Sequence, residues 1–187
     1  APDVTGTVVD TNSKTTELTG NALTLVRYLS KPKCALTATA KNSATIKTIQ
    51  IENPVGLVAT TSPYTFDTVY SREFRFKATD SRGYSTTTRI NVEDFIKYDP
   101  CYFDKIPVVT RLESTSNKAD VTVTGYCFKG SFGIVSNTLT IKYRYRTGNG
   151  AFGNYTSAAA TWNADGTFSS YILIAGLSLN ETYIFEF

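Results

Sequence analysis

Between Phe74 and Val92 the chain alternates, turns through Asp80-Ser81-Arg82-Gly83, and alternates again. Successive side chains of an extended strand point to opposite faces, so a period of two fits strands and not helices. Two such runs around a short polar loop with Gly83 at its far end predict a β-hairpin, with Gly83 as a structural residue of the turn. A lone hairpin is marginal in water. The rest of the sequence must therefore supply further strands.

It does so in two groups, on either side of the junction Lys97-Tyr98-Asp99-Pro100. Before the junction, strands are expected at residues 4–9, 34–41, 46–52 and 64–69, besides the hairpin. Residues 23–29 carry only short pieces of helical period, and Lys31-Pro32-Lys33 reads as a stop. Cys34, Leu36, Ala38 and Ala40 fall on one face of their strand. The parity of the next strand slips between Ile46 and Ile49, which predicts a bulge. After the junction, strands are expected at residues 121–126, 139–146, 167–174 and 182–187. In the clearest of them Leu139, Ile141, Tyr143 and Tyr145 share one face. Thr140, Lys142, Arg144 and Arg146 share the other, as in a strand with one wet side. Gly148-Asn149-Gly150 then turns the chain. Thirty threonines, with many Val, Ile, Tyr and Phe, suit a pleated, half-buried backbone. The expected fold class is all-β: two tandem β-sandwich modules, residues 1–98 and 99–187.

Composition narrows the function. The chain has no histidine, which removes the usual general base and the commonest metal ligand. There is no Gly-x-Ser-x-Gly elbow. The Gly148–Gly153 stretch resembles a phosphate loop only by eye, because no helix start or Lys-Ser/Thr follows it. The expectation is no enzyme and no cofactor. A net charge of +3 without a basic run argues against nucleic acid, and no apolar run approaches the length of a membrane span. Glu93, Asp94, Asp99 and Asp104 cluster around the junction. They read either as a calcium site stiffening it or as ordinary acids of a solvated hinge, and no Asp-x-Asp-x-Asp ladder favours the former. The three cysteines, Cys34, Cys101 and Cys127, form no Cys-x-x-Cys pair. The last two either bridge within the second module or, with Cys34, remain buried thiols.

Aromatic residues are the remaining candidates for binding. Phe152, Tyr155, Trp162 and Tyr171 fall in or near loops of the second module. They could stack on sugar rings, or they could roof the core.

The segment 176–185, Gly-Leu-Ser-Leu-Asn-Glu-Thr-Tyr-Ile-Phe, resembles the tyrosine corner of fibronectin type III and immunoglobulin-like domains. The resemblance implies that Tyr183 bonds the backbone a few residues upstream and that Leu177 plugs the core. The second module departs from the fibronectin pattern in lacking a Trp in its second strand. The chain also stops inside the strand that the corner introduces, and it contains no methionine. It is therefore expected to be a piece of something longer, its second module lacking the last strand or completed by another polypeptide.

Ala78-Thr79-Asp80-Ser81-Arg82-Gly83-Tyr84-Ser85-Thr86, the Ile96-Lys97-Tyr98-x-Pro100 junction and the strand at 139–146 resemble the minor structural and tail proteins of siphoviruses that infect Gram-positive bacteria. The resemblance is especially to a family in streptococcal and lactococcal phages. That resemblance implies a virion component built from immunoglobulin-like and fibronectin type III-like modules. It would be assembled in the host cytoplasm and act outside the cell as a structural or adhesion spacer of a tail, tail tip or fibre. Its partners would be other tail proteins or its own neighbouring modules. Two alternatives stay open: a carbohydrate-binding module recognising host cell-wall polysaccharide, and a bacterial surface adhesin stalk.

Overall fold

A computed structural model describes residues 1–54 and 56–187. The chain divides into two compact units: Ala1–Asp99 with Ser131–Ser136, and Pro100–Gly130 with Asn137–Phe187. The sequence reading gave residues 131–136 to the second module. They cluster with the first unit, where Phe132 is buried and its ring lies 5.6 Å from that of Tyr98.

The first unit contains β1 (Asp3–Asp10), α1 (Ser13–Thr19), β2 (Leu25–Val26), β3 (Pro32–Thr39), β4 (Ile46–Asn53), β5 (Leu57–Ala59), β6 (Tyr64–Thr65), β7 (Glu73–Asp80), β8 (Ser85–Asn91) and β9 (Phe95–Ile96). One sheet runs β1-β3-β6, a second runs β5-β4-β7-β8, and β2 pairs with β9 in parallel. The first two sheets share one buried cluster: Val4 and Cys34 from one side, and Ile51, Ala59, Phe74, Phe76 and Ala78 from the other. Alternation makes this possible, because every second residue of β7 is fully buried while Arg75, Lys77 and Thr79 face away. Asn53 is buried as well. Its amide donates to the carbonyls of Ser71 and Glu73 at 2.8 Å, and its oxygen accepts from Tyr70 N. The hydrogen bonds offset the cost of desolvating this buried amide, so it fastens the segment before β7.

The opening hairpin is β7–β8. Asp80, fully buried, organises its turn: Oδ1 accepts from the amides of Arg82 and Tyr84, and Oδ2 accepts from Arg82 Nη2 at 2.8 Å. The Arg82 guanidinium and these amides hold the carboxyl below its ordinary proton affinity. Gly83 takes φ of +88°, with open space where a Cβ would stand. The requirement there is conformational, not steric.

The second unit contains β10 (Tyr102–Phe103), β11 (Thr110–Arg111), β12 (Ala119–Tyr126), β13 (Ile141–Thr147), β14 (Thr156–Ala158), β15 (Thr161–Trp162), β16 (Thr167–Ile174) and β17 (Tyr183–Glu186). One sheet runs β10-β12-β16-β15, with β11 also on β12; the other runs β14-β13-β17. Both contribute to a second cluster: Val121, Val123, Phe168, Ile172 and Ile174 from the first, and Ile141, with Tyr143, Tyr145 and Phe185 packed against it, from the second.

The all-β class stands, and the differences lie in the details. Residues 23–29 form no helix. They supply the short β2, and the helix lies earlier, at Ser13–Thr19, where no apolar stripe marks it. Caps make that helix: the Asn12 side chain accepts from Lys14 N, and Gly20 closes it in the left-handed region. Pro32 opens β3, and the first residue of a strand is a position that tolerates its missing N–H. The strand expected at 64–69 shrinks to two residues, since Phe66 and Val69 turn into the core. The register shift in β4 falls between Ile46 and Thr48, where parity slips. Cys101 and Cys127 form a disulfide, which decides between the two readings of these cysteines; among the described residues Cys34 is the free one.

Candidate functional site

The wet face of β13 carries a cluster that no single stretch of sequence displays. Tyr145 and Tyr143 pack inward, which turns Lys142, Arg144 and Arg146 outward. Antiparallel pairing sets Arg144 opposite Glu186 and Arg146 opposite Ile184 on β17. Arg144 Nε and Nη2 donate to Glu186 Oε2 at 2.9 and 2.7 Å, and the Tyr155 hydroxyl donates to Oε1 at 2.5 Å. The Arg144 guanidinium lies 4.4 Å from the Tyr155 ring centre and 4.8 Å from that of Phe152. Arg146 lies 5.1 Å from the same Phe152 ring and donates to the Gly150 carbonyl, while its buried Nε has no acceptor among the described residues. One carboxylate and two rings thus hold two guanidiniums, an arrangement in which cation–π attraction and charge-assisted hydrogen bonds reinforce each other.

Its electrostatics follow from these contacts. Glu186 holds its proton less tightly than an ordinary glutamate, first because Tyr155 donates to it and then because Arg144 does. Tyr155 holds its own more tightly, chiefly because that hydrogen bond requires the phenol. At neutral pH both groups sit in the state that fixes the cluster. Chemically it can stack on an apolar ring face and offer hydrogen bonds at the rim. Tyr155, 48% exposed, is its most accessible part.

The four aromatics picked out in the sequence part company. Phe152 and Tyr155 meet around Arg144. Trp162 is not in a loop: it lies on β15, facing inward beside Phe168 against the second core. Its Nε1 donates to the Cys127 carbonyl at 3.0 Å, and Lys129 Nζ sits 5.2 Å from its ring centre. Tyr171 is likewise on a strand, β16, of the same sheet. It points outward from that sheet, and its hydroxyl donates to Asp120 at 3.2 Å. Arg144, Arg146 and Glu186 were missed as site residues. Alternation alone placed the arginines on the wet face, but Glu186 joins them only through pairing with a strand some forty positions later.

Leu177 is buried, and the Tyr183 hydroxyl accepts a hydrogen bond from Ser178 N at 2.7 Å. Of the acids near the junction, Asp99 is ion-paired with Arg27. Among the described residues no three His, Cys, Asp or Glu side chains come together as metal ligands, and no helix is long and apolar enough to cross a membrane. No family model, curated protein or solved structure matches the chain.

Proposed function

We propose that the chain is a non-catalytic structural or adhesion segment of a phage tail, tail tip or fibre. In this reading its two units are an immunoglobulin-like and a fibronectin type III-like β-sandwich. The observation that carries the module assignment is the Tyr183 hydroxyl accepting from Ser178 N above buried Leu177. That device locks a chain as it passes from one sheet, at β16, to the other, at β17. The phage setting draws on the hairpin, junction and strand that resemble tail proteins. The disulfide fits a life in two compartments: the thiols stay reduced in a bacterial cytoplasm and close once the particle is outside. Antibodies against the chain should decorate tails of assembled virions in electron micrographs, and reading frames beside its gene should encode tail-assembly proteins. A sortase signal downstream in the same reading frame would instead make it a cell-surface stalk.

A second reading rests on the Arg144–Phe152–Tyr155–Glu186 cluster, whose exposed ring and polar rim match the way proteins hold sugars. Host cell-wall polysaccharide is the ligand class. Tyr155→Ala and Phe152→Ala should each weaken binding on an array of cell-wall glycans, with Tyr171→Ala as the neutral control. Equal binding by all three removes this reading and leaves the spacer.

A further inference from the structure

The outward face of the sheet β5-β4-β7-β8 distributes its charge unevenly. Strand register aligns Val58, Glu52, Arg75 and Arg89 in one row and Gln50, Lys77 and Thr87 in the next. Gln50, Glu52, Arg75, Lys77, Thr87 and Arg89 together line an open cleft of about 370 Å³. Arg75 is already neutralised: its Nε donates to Glu73 at 2.5 Å, and Nη1 lies 3.9 Å from Glu52. Among the described residues neither Lys77 nor Arg89 has a carboxylate within ion-pairing distance. Arg89 stands directly opposite Arg75, and Lys77 lies two residues along β7 from Arg75, in the neighbouring row of the same face. With Arg75 held by two carboxylates, the positive charge left uncompensated on this face is that of Lys77 and Arg89. The Thr87 hydroxyl, directly opposite Lys77, and the Gln50 amide on its other side add uncharged donors.

We infer that this face binds a phosphate ester of a hydroxylated ligand. The phosphate oxygens lie among Lys77, Arg89 and Thr87, where two unpaired cations and a hydroxyl can each donate to them. Glu52, on the far side of the cleft, repels a second anion and accepts from a neighbouring ligand hydroxyl. The site therefore favours an ester carrying a free hydroxyl over inorganic phosphate. It lies in the first unit and shares no residue with the aromatic cluster of the second, so the two readings fail separately.

The test is a titration followed by amide NMR at pH 7 and constant ionic strength, with glycerol 3-phosphate, inorganic phosphate, glycerol and sodium chloride as four arms. Glycerol 3-phosphate should shift the amides of residues 50, 52, 75, 77, 87 and 89 and bind several-fold more tightly than inorganic phosphate. Glycerol and chloride should leave them in place. The double substitution Lys77→Gln/Arg89→Gln, on exposed positions, should weaken binding at least tenfold, and Glu52→Gln should erase the preference for the ester. Shifts of equal size in chloride, or a double variant that titrates like the parent, would overturn the site. Equal affinity for the ester and inorganic phosphate would overturn the hydroxyl half of the inference.

Discussion

Gly83 and Tyr183 each perform one local task that their neighbours cannot. At Gly83 the backbone is left-handed, and a Cβ would meet no atom, so Gly83→Ala should cost about 1–2 kcal/mol through conformation alone. Gly83→Asn should recover part of that loss in a urea melt, since Asn tolerates this region. A loss as large for Asn as for Ala would point to packing instead. Gly6 is the opposite case: a Cβ there would stand 2.6 Å from the Phe76 ring, so its smallness is steric. For Tyr183 the relevant atom is the hydroxyl. Tyr183→Phe keeps the ring, which packs against Tyr145, but leaves Ser178 N without its acceptor. It should lower stability by about 1 kcal/mol. An unchanged denaturation midpoint would mean that water replaces the phenol fully. Gly83 and Tyr183 were both legible in the sequence because their signals are short-range: a glycine at the end of a polar turn, and a leucine six residues before a tyrosine.

At the scale of elements, the β13–β17 pairing decides how the second unit responds to pH. Glu186 has its proton affinity lowered in the folded chain, so its contribution to stability is present above the unfolded value of about 4.3. That contribution is lost as pH falls through the lower, folded value. Tyr155 is shifted upward, so its contribution is present below about pH 10 and is lost as pH rises through its folded value. The stability difference between the parent and Glu186→Gln should therefore be flat through neutral pH and should narrow toward acid. Urea melts at a series of pH values would show it; a difference independent of pH would mean the ion pair is screened away at this surface. Strand existence was read well at this scale. The alternation of residues 121–126 and 167–174 survives almost unchanged in β12 and β16. The short strands β2, β5, β9, β10, β11, β14 and β15 were not read, because two or three residues carry no measurable period.

For the whole molecule, the thiols provide a direct count. Cys34 is buried, and desolvation pushes its thiol up to about 12, which makes it inert while the first unit is folded. The native chain, once oxidised, should show no thiol to Ellman's reagent, and the unreduced chain in guanidinium should show one. Three thiols in denaturant would mean that the Cys101–Cys127 bond does not form in solution. Because that bond closes a loop with a sequence separation of 26 residues, reduction should lower the stability of the second unit by about 3 kcal/mol. A calorimetric trace should accordingly move in the transition that Phe168→Ala also moves. The transition that responds to Phe74→Ala should stay in place.

What the sequence determined by itself is the all-β class, the hairpin turn and the wet and dry faces of the long strands. These depend on a period of two and on backbone preferences within a few residues. The tertiary structure alone decided that Cys101 meets Cys127, that Trp162 leaves the candidate binding set to hydrogen-bond the Cys127 carbonyl, and that Glu186 clamps Arg144 between two rings. Each of these joins positions 26 to 42 residues apart, and strand register sets them together. Register depends on the packing of both faces at once, which a one-dimensional pattern does not contain.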